Sequence, residues 1–379
     1  MSGGRGDLGV VLGGGGARSA YQVGVLRAIA RRFPGFRPPI LTGTSAGAIN
    51  IAHIANHTGS FDHKIEDLTQ LWSALDVSKV FETRSAPLLW RMVRVAARLT
   101  VGLPNKMTPS PGMVDTQPLR RTLHRALGTE DGRLAGVDMN LEAGRLKAVA
   151  LTTTRYSTGQ TITFFRGRGI EPWTRPQRRS EEGPLTVEHV MASAALPLLF
   201  PAVPIGDSWH GDGGIRLVAP LAPALHLGAA RILVVPTRYM RSGPEADEPL
   251  FEGRPSPAHV MGTLFNAIFL DQIDQDAHQL ERINHLVRHL PKERRCGLRE
   301  VELLVIRPSR DLGRMAGDFE PQLPDVFRTL MRRLGTRNAR SQDLLSTVMF
   351  QRDYIRHLIE LGERDGESQA GDVARLLGA

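Results

Sequence analysis

A serine set between two glycines, Gly43-Thr44-Ser45-Ala46-Gly47, is the first place where residue types and spacing in this chain suggest chemistry. In a G-x-S-x-G turn, glycines two residues either side allow a tight backbone reversal and keep bulk away from the hydroxyl. A helix that follows the serine directs its positive N-terminal end at a developing anion. The flanks suit such a turn: Ile40-Leu41-Thr42 reads as a short strand and Ala48 to Ala55 as an alanine-rich helix. Ser45 is therefore a candidate nucleophile, with an ordinary glycine turn as the competing reading.

A second glycine cluster, Gly13-Gly14-Gly15-Gly16-Ala17-Arg18, can bring backbone N–H groups close to a ligand. It is not a dinucleotide loop: counted from Gly14, the pattern G-x-G-x-x-G ends on Arg18-Ser19, and no lysine-threonine ending marks a nucleoside triphosphate loop. An oxyanion hole suits it better, where the loss of one donor costs about 3 to 4 kcal/mol. The third cluster is Asp212-Gly213-Gly214, a carboxylate in a turn tight enough to approach another loop; a plain β-turn aspartate is the alternative.

Other chemistry is weaker. His210 stands two residues before Asp212 and reads as a strand-edge histidine rather than a catalytic base. His53 and His57, and again His285 and His289, sit one helical turn apart, but neither pair has the intervening glutamate or third ligand of a metal site. Cys296, the one cysteine, follows Lys292-Glu293-Arg294-Arg295 and reads as an exposed bystander; it excludes an intrachain disulfide and a cysteine metal cluster.

The elements that must position these groups can be read from the pattern of apolar residues. Leu8 to Leu12 is a short buried strand, Ala17 to Arg32 a helix with one apolar face, and Ile40 to Thr42 a second strand leading into the serine turn. Strand, turn, helix, repeated twice, predicts a parallel sheet with helices packed on it. Further along, Lys147 to Thr154 and Gln160 to Phe165 read as a strand pair, Val187 to Ala195 as a helix, Arg231 to Pro236 and Val301 to Ile306 as strands, and Ala258 to Leu290 as one long helical region. Arg175 to Gly183 and Pro244 to Pro257 read as loops. No repeat or linker splits the chain.

Taken together, these clusters make the chain resemble the patatin-like phospholipase family. The matching pieces are Gly14-Gly15-Gly16-Ala17-Arg18, Gly43-Thr44-Ser45-Ala46-Gly47, Ala192-Ser193-Ala194-Ala195-Leu196-Pro197 with Phe200-Pro201, and Asp212-Gly213-Gly214, in the family's order between about Leu8 and Pro236. The resemblance implies an α/β fold of three layers, α/β/α, around a central mainly parallel sheet. It implies a serine–aspartate dyad with Ser45 as nucleophile and Asp212 as its base, no histidine, and no metal or cofactor. It also implies an oxyanion hole of Gly14, Gly15 and Gly16, with Arg18 lending charge or bracing the loop. The chain departs from the family at Ser19, where a glycine is usual, and at Val218, where an asparagine is common. By this reading residues 1–307 form the catalytic domain, with a helical insertion at about 60–125. Residues 308–379 form a helical extension packed on it.

The expected activity is hydrolysis of fatty-acyl esters, of the phospholipase A, lysophospholipase or carboxylesterase type. An acyltransferase or thioesterase of the same chemistry, or a silent lipid-binding scaffold, are the alternatives. Lysine and arginine outnumber aspartate and glutamate 48 to 39, a net charge of +9, which favours anionic partners such as a phospholipid surface. No motif supports nucleic acid as the partner. No signal peptide and no apolar run of the roughly 20 residues needed to cross a bilayer is visible, so a cytoplasmic chain with peripheral membrane contact is expected. Pro87 to Leu103, with Trp90 among aliphatic residues and Arg91, Arg94 and Arg98 on one helical face, is the candidate interfacial helix, and Val260, Leu264, Phe265, Ile268 and Phe269 are candidates for core packing or an acyl channel.

Overall fold

Alternation within the shortest apolar strands sets the architecture. In the computed structural model, which describes residues 6–82, 114–197, 199–249, 254–323, 328 and 342–378, strand β1 (Leu8–Leu12) sends Val10 and Leu12 to one hydrophobic cluster and Val11 to another. Strand β2 (Ile40–Thr44) divides Leu41 from Ile40 in the same way, and β3 (Ala148–Arg155) divides Val149 and Leu151 from Ala148 and Ala150. A sheet buried on both faces needs a helical layer on each, and three layers follow. Helices Ala20–Arg32, Ala46–Asn56, Phe61–Ser73 and Arg352–Ser368 feed the larger cluster; Ala222–His226 and Gln272–His289 feed the smaller one.

The remaining strands are β4 (Gln160–Gly167), β5 (Thr174–Arg175), β6 (Arg178–Glu182), β7 (Val203–Ile205), β8 (Ser208–Asp212), β9 (Arg231–Val235) and β10 (Glu302–Val305). The sheet runs β10-β9-β1-β2-β3-β4-β6-β5, and its first five strands are mutually parallel. Strand β4 turns back antiparallel on β3, and the β7–β8 hairpin attaches to β3 through β8. The expected α/β, mainly parallel fold is present.

Three local expectations are corrected. Residues 175–183 are not a loop but the β5–β6 hairpin, with β6 parallel to β4. Their polarity misleads because this is the edge of the sheet: charges discourage edge-to-edge pairing, only Ser180 turns inward, and Arg155 binds Glu181 at 2.7 Å. The long helical region breaks at Leu270 into Pro257–Phe269 and Gln272–His289. The proline-rich stretch before it holds a short helix, Gly243–Asp247, closed by a Ser242–Glu245 capping box.

The C-terminal helices are tied closely to the first helix. A Cβ placed on Gly24 would lie 2.0 Å from the Ile359 carbonyl oxygen, and one on Gly362 would lie 2.2 Å from that of Tyr21. Helices Ala20–Arg32 and Arg352–Ser368 thus meet backbone to backbone, an approach that only glycine allows. Arg27 adds a 2.9 Å ion pair to Glu363. Of the expected insertion, Phe61–Ser73, Val77–Val80 and Gln117–Ala126 are helical; the candidate interfacial helix at Pro87 to Leu103 lies outside the described residues. Among the described residues no helix is long and apolar enough to cross a membrane.

Candidate active site

The serine turn is held in a conformation that costs energy. Ser45 directly follows β2 and has φ 57 and ψ −133, a region that non-glycine residues occupy at a cost of roughly 1–3 kcal/mol. The neighbouring backbone enforces it: a Cβ on Gly47 would stand 2.2 Å from the Leu12 carbonyl oxygen, and one on Gly43 2.7 Å from Ala48 Cα. Only glycine lets the Ala46–Asn56 helix start this close to β1. The Ser45 N–H donates to Ser193 Oγ at 3.0 Å, and the Ser193 hydroxyl donates to the Thr152 carbonyl at 2.6 Å. Ser193 therefore pins the turn to the neighbouring strand. It lies inside the Ala192–Pro197 motif, yet its role needs the fold to become visible.

Register explains how a residue so far along the chain reaches Ser45. Strand β3 outruns β2. Thr44 at the end of β2 pairs with Thr152, and the next residue of β3, Thr153, pairs with Asp212 of β8. Strand β8 thus takes over the flank of β3 where β2 stops, and Asp212 arrives beside the residue that follows Thr44. The Asp212 backbone is fixed on both sides, its N–H donating to the Ala195 carbonyl at 3.0 Å and its own carbonyl accepting the Thr154 hydroxyl at 2.8 Å. Oδ1 accepts the Gly214 N–H at 2.8 Å, and Oδ2 has no hydrogen-bond partner among the described residues. A Cβ on Gly213 would lie 2.2 Å from the Thr152 carbonyl oxygen, so the turn seats tightly against β3.

The carboxylate is fully buried, and Ser45 is only 2% exposed. Burial pushes the Asp212 carboxyl up from 3.8 to about 7, while the Ser45 hydroxyl and the Gly214 N–H both favour its ionised form and partly oppose the shift. The hydroxyl is thus close enough to interact with the carboxylate; full hydrogen bonds between such partners commonly form only once substrate is in place.

The glycine loop closes over the hydroxyl. A Cβ on Gly14 would lie 2.8 Å from Ser45 Cβ and 3.2 Å from its Oγ. Gly15 (φ 153) and Gly16 (φ 57) are in backbone conformations that favour glycine. The N–H groups of Gly14, Gly15 and Gly16 meet no acceptor among the described residues. Thr237, just past β9, donates its hydroxyl to the Gly14 carbonyl at 2.7 Å and fixes the loop from the other side. Nothing in the local sequence marks Thr237, although its place past the C-terminal end of a parallel strand is where sites in open α/β sheets gather.

Arg18 stands at the end of this loop, but its charge does not face Ser45. Its guanidinium, 3% exposed, turns onto the C-terminal region: Nε donates to Ser346 Oγ at 2.6 Å, and Nη2 donates to the Asp343 carbonyl at 2.8 Å and to Asp343 Oδ1 at 2.7 Å. Of the two roles expected for it, the geometry matches bracing. No sequence signal pointed to Asp343 and Ser346 as its partners.

The histidines lie elsewhere. His210 is buried, joins Thr153 Oγ1 at 2.9 Å and packs against Phe164, and burial brings its pKa down to about 4. His53 is buried and brought down to about 4, again mainly by burial, and His57 meets Asp67 at 2.9 Å. His285, His289 and Cys296 are exposed. Among the described residues no group of three His, Cys, Asp or Glu side chains could hold a metal ion.

Among the described residues, small cavities reach Ser45 on two sides. One, about 40 Å³, is walled by apolar side chains that include Ile49, Leu71, Trp72, Leu75, Leu196 and Phe200. The other, about 20 Å³, lies between Gly14, Thr44, Thr152 and Gly214 and is closed by Ile268 and Phe269. Phe269 packs so closely that a Cβ on Gly214 would stand 2.4 Å from its ring. Of the other candidates on helix Pro257–Phe269, Phe265 is buried, whereas Val260, Leu264 and Ile268 are 47%, 50% and 38% exposed, so Val260 and Leu264 lie outside the core and Ile268 reaches the site only at the cavity wall.

A family model described as patatin-like phospholipase matches residues 10–225, more than half of the chain. No curated protein sequence matches it. Among solved structures it is similar to human GIVD cytosolic phospholipase A2, with 12% identity and a TM-score of 0.49 over 98% of this chain and 60% of that one. It is also similar to VipD from Legionella pneumophila, with 14% identity and a TM-score of 0.37 over 94% of this chain and 67% of that one. The type III effector ExoU is 14% identical, with a TM-score of 0.33, over 94% of this chain and 54% of that one. The chain thus spans about three fifths of the length of the human phospholipase.

Proposed function

The chain belongs to the patatin-like phospholipase family, and from that premise we propose that it hydrolyses fatty-acyl esters of lipids, with Ser45 as nucleophile and Asp212 as its base. The observation that carries this reading is the handover on β3, which sets the Asp212 carboxylate beside the hydroxyl that follows Thr44. Asp212 takes the Ser45 proton as Oγ bonds to the ester carbonyl carbon, and the carbonyl electrons move onto oxygen. The N–H groups of Gly14, Gly15 and Gly16 receive that oxyanion. The C–O bond then breaks, and the leaving alcohol or lysolipid takes the proton from Asp212. In the second half, Asp212 takes a proton from water as it attacks the acyl-enzyme, and Ser45 recovers its proton as the fatty acid leaves. A carboxylate is a weak base in water, but burial brings Asp212 to about 7, close to working pH, without a histidine.

The apolar cavity beside Ser45 suits the acyl chain, and the unpaired glycine amides suit the carbonyl oxygen. At about 40 Å³ the cavity is far smaller than the ~300 Å³ at which ligand clefts usually begin, so entry of a chain requires the wall to open. The exposed stripe Val260, Leu264 and Ile268, one helical turn apart and ending at the wall formed by Ile268 and Phe269, suits contact with a lipid surface, as does the net charge of +9. The test is labelling by an alkyl fluorophosphonate, in wild type and Ser45→Ala, followed by a panel of phosphatidylcholine, phosphatidylglycerol, lysophospholipid and neutral acyl esters. Labelling of the wild type alone, with fatty-acid release, is expected. Equal labelling of the two proteins would remove Ser45 as nucleophile.

A further inference from the structure

A cluster of positive charge without carboxylate partners lines a cavity away from Ser45, at the other end of β2. A cavity of about 270 Å³ opens where the chain enters β2 and β3, lined by Arg37, Leu41, Ile54, Phe61, Lys64 and Arg145 among others. It is much roomier than either space beside Ser45, and close to the ~300 Å³ at which ligand clefts usually begin. Helix Ala46–Asn56 runs from Ser45 to Ile54 at its wall, so the two places stand roughly 14 Å apart, at 1.5 Å per residue.

The lining has two parts. Its floor is apolar, with Leu41, Ile54 and Phe61. Its rim carries three cations, and no carboxylate occurs among the described residues that line it. The rim cations are not neutralised nearby. Arg145 Nε donates to the neutral Asn140 side chain at 2.9 Å, and neither Arg37 nor Lys64 has a carboxylate partner among the described residues. Lys64, partly buried, is brought down to about 8 by burial first and then by the charges of Arg145 and Arg37. Three like charges around one opening repel one another. An anion placed between them removes the repulsion and gains three charge-assisted hydrogen bonds.

We propose that this cavity is a second ligand site that takes a small amphiphilic anion. Arg37, Lys64 and Arg145 grip a carboxylate or phosphate head, and Leu41, Ile54 and Phe61 receive a short alkyl body. The site is separate from the acyl-transfer chemistry and does not depend on it.

The test is isothermal titration calorimetry on the full chain carrying Ser45→Ala, with octanoate, octyl phosphate, inorganic phosphate and the uncharged octyl glucoside as probes. Arg37→Ala/Arg145→Ala and Lys64→Met are compared in the same background. Arg37 and Arg145 are exposed, and methionine keeps most of the Lys64 stem, so these changes spare the core. Octanoate or octyl phosphate is expected to bind at one site and to weaken at least tenfold in both variants, and the tighter of the two identifies the head group. Undiminished binding in the variants would place the ligand elsewhere and overturn the proposal, as would no binding at all. Octyl glucoside matching octanoate would refute the cationic grip, and inorganic phosphate matching octyl phosphate would refute the apolar half.

Discussion

Replacing Asp212 by asparagine separates the two consequences of burying that carboxyl. Its pKa rises from 3.8 to about 7 because burial penalises the charged form. Folding therefore favours the protonated acid. The stability this group contributes is full below its unfolded pKa and is lost as pH rises through about 7, where the native state must carry a buried charge. From pH 5 to pH 9 the group crosses about two units while protonated in the native state and ionised in the unfolded one. At 1.36 kcal/mol per unit, the wild type should lose about 3 kcal/mol over that window from this residue alone. Asp212→Asn has no charge to bury and keeps an oxygen for the Gly214 N–H, so it should lose none of it. Urea unfolding of both proteins at the two pH values isolates the difference, since all other titrating groups are common. Activity should run the opposite way: the base works only when ionised, so kcat/KM should climb through about pH 7 in the wild type and be lost in Asp212→Asn. A stability gap between the two proteins that is the same at pH 5 and pH 9 would refute the claim that burial governs this carboxyl.

Ser193→Ala should leave the Ser45 N–H and the Thr152 carbonyl without their shared partner, at about 1–3 kcal/mol for a buried unsatisfied group. The expected result is a lower unfolding midpoint and fluorophosphonate labelling slowed at least tenfold; labelling at the wild-type rate would show that the turn holds without it. Arg18→Met should strip Asp343 of its cation and cost about 3 kcal/mol, as breaking a buried pair does, with a matching fall in labelling if the brace sets the glycine loop. A thermal melt unchanged from wild type would contradict this. Gly362→Ala should destabilise by about 1–3 kcal/mol through overpacking, since its Cβ would stand 2.2 Å from the Tyr21 carbonyl oxygen. Gly371→Ala, which meets nothing within 4 Å, is the control that should melt like the wild type.

What could be read from the sequence was whatever short-range pattern dictates. Five-residue apolar strands, the glycines around Ser45 and the alanine-rich helix after it are local, and they appear where the pattern puts them. Residues 174–182 could not be read because edge strands are built from charges, which in sequence look like a loop. Residues 258–290 looked like one helix because both halves share an apolar period; the break at Leu270 lets the first half lie against the site and the second against β1. The C-terminal region gave no chemical signal, since Asp343 and Ser346 are ordinary residues until Arg18 arrives between them. Lys64, Arg37 and Arg145 come from three separate segments, and only the fold makes them one rim.

Strand β3 shows most clearly how a weak local signal becomes the frame of a site. Thr152-Thr153-Thr154 reads in sequence as β-branched residues suited to a strand, and nothing more. In the fold each has a separate task. The Thr152 backbone pairs with Thr44 and accepts the Ser193 hydroxyl that steadies the Ser45 turn. Thr153 pairs with Asp212 and holds His210 through its own hydroxyl. Thr154 donates its hydroxyl to the Asp212 carbonyl. The separation between hydroxyl and carboxylate is thus set by one strand's register rather than by the loops that bear them. A one-residue slip of β8 on β3 would turn the Asp212 side chain to the other face of the sheet, because successive residues of a strand alternate faces. The precision of the proposed dyad therefore resides in the ladder beneath it, and substitutions along Thr152–Thr154 should disturb it.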